Sequence, residues 1–122
     1  MSHLLVEIKV PRADTKGVGL TDAYLCQLQL TMACTQTRRA DFVVLRELSN
    51  GHGGDVWQLA VTRVERDNAL LDVMEQQLLD FYMEAKEDDE PFPIDSIEAA
   101  QLRSALRDAR AERVGEERVH DL

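Results

Sequence analysis

The sequence predicts a small α/β fold of the mixed α+β class, with the element order β-α-β-β-α-α. Three observations carry that reading. Residues 4–10 alternate apolar and polar like a strand, residues 21–35 carry apolar side chains at helical length, and residues 41–64 hold two strand-like runs around a turn cluster. A chain of 122 residues suits one core, and 44% hydrophobic with 30% charged residues is a globular composition.

In "LVEIKV", Val6, Ile8 and Val10 fall on one strand face and Glu7 and Lys9 on the other, before Pro11 ends the run. "RADTKGVG" reads as a polar loop. "TDAYLCQLQLTMACT" follows as a helix begun by Thr21 or Asp22. Its apolar residues Tyr24, Leu25, Leu28, Leu30, Met32 and Ala33 go nearly all round, which predicts cover on most sides. "DFVVL" and "VWQLAVTRV" flank "SNGHGG" and read as a hairpin. Asp67 is placed to cap the next helix, whose stripe is Leu70, Met74, Leu78, Phe81, Tyr82 and Ala85. "KEDDEPFP" is an acidic linker. The last helix is expected from Asp95, with Glu98 as capping-box partner and a thin stripe of Ile97, Leu102, Ala105, Leu106 and Ala109. The tail after Gly115 is expected to fray.

Net charge of −9 opposes free-standing affinity for nucleic acid, since phosphate binding rests on Lys and Arg. Cys26 and Cys34 are eight residues apart in one helix. That spacing is about 12 Å along the axis, too long for a disulfide, and points to buried thiols in a reducing compartment. No apolar run spans a membrane and no secretory leader is evident, so a cytoplasmic location is expected. His3, His52 and His120 have no metal-ligand spacing, and "KGVG" is not a phosphate loop. Arg103, Arg107 and Arg110 line one face of the last helix among acids, the pattern of a solvated face.

By itself "EIK" is what any half-exposed strand shows. Gln27 and Gln29 add weight, because a glutamine amide buried in an apolar helix needs partners. Either one faces solvent while the other bonds local backbone, or one orients a polar group at a site.

Together these residues resemble the YqaJ and phage lambda-type exonuclease family of PD-(D/E)xK nucleases. The matching pieces are Glu7, Lys9 and Pro11; Tyr24, Gln27, Gln29 and Met32; Phe42 to Leu45; and Arg66 with Asp67. They cover residues 4–86, and "EPFPID" is similar to a proline-rich stretch of phage members. The resemblance implies a partial restriction-endonuclease-like core with an incomplete sheet in residues 1–90, then a linker and terminal helix in 91–122. It implies hydrolysis of duplex DNA with Mg²⁺, or Mn²⁺, in recombination or phage replication. Glu7 and the carbonyl of Ile8 would be metal ligands. Lys9 would position the attacking water or stabilise charge on phosphorus, and Gln27 would support the site.

The family's other metal-binding aspartate, in a P-D-G turn shortly before the glutamate, has no counterpart in "MSHLL", and Asp14 reads as a loop aspartate. A cation is therefore expected to bind weakly and the chain to be weak or inactive alone, as a truncated or split nuclease. A second chain supplying the missing strand and aspartate, or a homo-oligomer, would complete it. The reading from another class is a non-catalytic protein-interaction module that retains the nuclease fold.

Overall fold

The computed structural model describes residues 3–11, 19–49, 55–85 and 96–122. It is a mixed α+β protein in which the expected elements occur in the expected order. They are β1 (Leu4–Lys9), α1 (Asp22–Thr35), β2 (Arg39–Ser49), β3 (Asp55–Glu65), α2 (Asn68–Ala85) and α3 (Ile97–Arg113). One further strand, β4 (Arg118–Asp121), corrects the expectation of a frayed tail. The chain divides into two compact units, one of residues 1–66 with 114–122 and the other of 67–113.

The first unit holds a four-stranded sheet in the order β1-β2-β3-β4. β1 and β2 are parallel, and α1 is the crossover such a pair requires. β2 and β3 form the expected antiparallel hairpin, with Phe42 opposite Thr62 and Val44 opposite Ala60. Its turn lies outside the described residues, as do Asp14, the first three residues of "KGVG" and the acidic linker. β4 pairs antiparallel with β3, and the Gly115 N–H donates to the Arg63 carbonyl at 2.8 Å to steer the tail onto the sheet. Four mostly polar residues have no periodicity to announce a strand. Backbone pairing with β3 alone makes them one.

Opposed residues share a sheet face, so the register sorts the side chains. Ala40, Phe42, Val44, Ala60 and Val64 are at most 1% exposed and line the face shared with Leu5, Glu7 and Lys9. α1 lies on this side, with the Tyr24 and Phe42 ring centroids 5.5 Å apart. The opposite face carries Leu4, Val6, Ile8, Val43, Leu45, Leu59 and Val61, none of them fully buried.

α1 starts at Thr21, whose hydroxyl accepts from the Tyr24 N–H at 3.2 Å. Gln36 closes it in the left-handed conformation at φ 57°, a position glycine usually takes. Its buried residues are Leu25, Leu28, Gln29 and Met32, a single stripe at i, i+3, i+4 and i+7. The expectation of cover on most sides is corrected, since Leu30 is 39% exposed and Ala33 faces solvent.

In the second unit α2 and α3 pack on each other, and the Gln77 side chain donates to the Glu98 carbonyl at 2.6 Å. Asp67 caps α2 as expected, accepting from the Leu70 N–H at 2.9 Å. Ser96 caps α3, its hydroxyl accepting from the Ala99 N–H at 3.1 Å, which moves the start from Asp95 to Ile97. Of the α2 stripe, Leu70 and Met74 are buried while Leu78, Phe81 and Tyr82 are exposed. In α3, Leu106 and Ala109 are buried and Ile97 is exposed.

Candidate functional site

Glu7 and Lys9 stand on the α1 side of β1, in register with Phe42 and Val44. Strand alternation sends both the same way, and Oε1 of Glu7 lies 3.2 Å from Nζ of Lys9. The ammonium also sits 4.8 Å from the Tyr24 ring centroid, within the range of a cation–π contact. Glu7, Lys9, Tyr24 and Phe42 thus form one continuous cluster at the carboxyl end of β1 beside the first turn of α1. In open α/β sheets ligands gather beyond the carboxyl ends of strands. Both charged side chains remain about 30% accessible, so they are reachable from solvent while their stems pack under α1. A half-exposed pair of this kind adds at most about 1 kcal/mol of stability.

Ile8, between them, pairs with Val43 and turns its side chain to the opposite face, where it is 60% exposed. The two glutamines separate. Gln29 is fully buried and donates from Nε2 to the carbonyl of Glu65 at 2.9 Å, tying α1 to the end of β3. Gln27 is exposed, and among the described residues its side chain makes no hydrogen bond to Glu7 or Lys9. Gln27 thus makes no direct bond to the pair, and the buried amide is that of Gln29, which anchors helix to sheet.

Among the described residues no three His, Cys, Asp or Glu side chains converge. Mg²⁺ takes several hard oxygen ligands in near-octahedral geometry. The single Glu7 carboxylate, already bonded to an ammonium, does not fit it alone.

A second polar cluster, which periodicity did not single out, lies on the other sheet face. Asp41 and Arg63 are cross-strand partners joined by two bonds, Nε to Oδ1 at 2.9 Å and Nη2 to Oδ2 at 3.2 Å. This fork raises the guanidinium pKa above its already high value. Arg118, His120 and Glu117 line a shallow cleft beside the pair. The only advance signal was the opposite charge of residues 41 and 63, which has meaning once the hairpin register is known. Both cysteines are free. Cys26 is half-buried, and burial, then the nearby Asp22 charge, push its thiol pKa up. Cys34 is exposed, which corrects the expectation that both are buried.

No helix among the described residues is long and apolar enough to cross a membrane. No protein-family model, curated protein or solved structure matches the chain.

Proposed function

We propose that this chain carries half of a nuclease-type site, the Glu-x-Lys strand, and belongs to a Mg²⁺-dependent DNA exonuclease-type domain that is weak or inactive by itself. The observation that supports the reading is the inward pairing of Glu7 and Lys9. The charged face of β1, rather than its apolar face, is the one under α1. A strand with no site to build would be expected to turn Val6 and Ile8 towards the helix. The ordered resemblance through Tyr24, Phe42 and Asp67 adds to it. A second carboxylate has to be brought to Glu7 before a cation can be fixed, so no hydrolytic step is assigned to the chain alone. Duplex DNA is the substrate proposed for the completed site.

The test is a Mn²⁺ and Mg²⁺ titration of the isolated chain, with cleavage of linear duplex DNA read alongside. Weak cation binding, lost in Glu7→Ala, with no cleavage at an enzymatic rate, supports the reading. Cation binding indifferent to Glu7→Ala would remove its basis. Robust digestion abolished by the same substitution would show that the site is complete.

The second reading, a protein-interaction module, is favoured by a separate observation. Leu4, Val6, Ile8 and Val10 are 44–60% exposed along one strand face.

A further inference from the structure

β1 is the first strand in the sheet order, and among the described residues only β2 pairs with it. Among the described residues no strand covers its outer edge, and such an edge presents backbone donors and acceptors as a template for another strand. Its side chains are also arranged unusually. Val6, Ile8 and Val10 are 50%, 60% and 60% exposed, whereas Glu7 and Lys9 are half-buried on the α1 side. Exposed apolar residues on an open edge are what a protein normally avoids.

The segment Val6-Glu7-Ile8-Lys9-Val10 is self-complementary about Ile8. Its apolar residues are symmetric about that centre and its charges are antisymmetric. We propose that a second copy of this chain pairs with it, β1 against β1 in antiparallel fashion with Ile8 on the two-fold axis, to make a continuous eight-stranded sheet. In that register Val6 opposes Val10 of the other copy and Ile8 opposes its own counterpart, so three apolar pairs close on the open face. On the α1 side Glu7 opposes Lys9 and Lys9 opposes Glu7, two ion pairs related by symmetry. Directly opposed side chains in such a pair have Cβ atoms about 5 Å apart, within reach of an ion pair. The Glu7–Lys9 contact at 3.2 Å within one strand shows that both heads already lie over that face.

Shifting the axis by one residue sets Glu7 against Glu7 or Lys9 against Lys9, and like charges directly opposed are destabilising. The charges thus select the register as well as the partner. An isologous two-fold contact of this kind closes on itself and does not propagate into fibres. A single strand edge lies at the small end of specific interfaces, below about 1,200 Å², so a dimer of micromolar rather than nanomolar affinity is expected. The inference does not rest on the hydrolytic reading; a β1–β1 pair and a strand completing the site at Glu7 would compete for the same edge, so association and cation binding are read in separate experiments.

Sedimentation equilibrium over rising protein concentration tests it, with circular dichroism to confirm that each variant is folded. The parent chain should pass from monomer to dimer. Glu7→Lys alone and Lys9→Glu alone each set like charges opposite one another, and should lower the association constant about tenfold or more. An equimolar mixture of the two variants should re-form a dimer, and the chain carrying both substitutions should dimerise like the parent. Ile8→Lys, at a position exposed enough to spare the fold, should also dissociate the pair. A parent chain monomeric at every concentration, a trimer, or a dimer unaffected by the single charge reversals would each overturn the proposal.

Discussion

Gln29 offers a quantitative test of how α1 is held to the sheet. Its side chain is fully buried, and Nε2 donates to the Glu65 carbonyl at 2.9 Å across 36 residues of sequence. Gln29→Met keeps length and much of the volume but removes the donor. The carbonyl at the end of β3 then loses a partner in a part-buried position. Losing one such bond costs about 0.5–1.5 kcal/mol net. With a urea slope of about 1–3 kcal/mol/M, the unfolding midpoint should fall by on the order of 0.5 M with the slope unchanged. Gln27→Met is the control: it lies half a turn away, is exposed, and should move stability by no more than about 0.5 kcal/mol. Urea melts of both variants, followed by far-ultraviolet circular dichroism, decide the matter. Equal costs at the two positions, or no cost at Gln29, would refute the assignment of that glutamine as the anchor.

Gln36→Gly should stabilise the chain by up to about 1 kcal/mol, because φ of 57° strains a residue with a Cβ, and a thermal melt would register the rise. Asp67→Ala should cost about 1–2 kcal/mol through loss of the α2 cap at the Leu70 N–H, while Asp67→Asn should recover most of it; chemical denaturation separates the two. Cys34 should react with a thiol reagent well before Cys26 at neutral pH, as peptide mass mapping would show. For Cys26 the folded thiol titrates above its ordinary value near 9.0, so the folded state holds its proton where the unfolded state has lost it. Its contribution to stability is therefore full below that value and lost as pH rises through the folded pKa. Cys26→Ala should flatten that part of the stability curve.

The order of elements was legible because each is announced locally. Alternation marks β1 and β3, Thr21 and Asp67 mark helix starts, and the glycine-rich turn marks the hairpin. The site was legible in part. Alternation alone puts Glu7 and Lys9 on one face of β1, and a short strand leaves them near enough to meet. Local signals failed where the partner is distant. Arg118–Asp121 has no strand signature, and its conformation comes from pairing with Gln58–Val61, far away in sequence.

Sequence by itself determined which residues share a face, since backbone periodicity is a property of neighbours along the chain. Only the tertiary structure decided which face is covered. Val6 and Ile8 would ordinarily be assigned to the interior, yet α1 lies over Glu7 and Lys9 and leaves the valine and isoleucine open. The same holds for Gln27 and Gln29, two residues apart and chemically identical. They differ because the helix presents one of them to the Glu65 carbonyl and the other to water. Burial is set by what packs from elsewhere in the chain, and no local pattern carries that information.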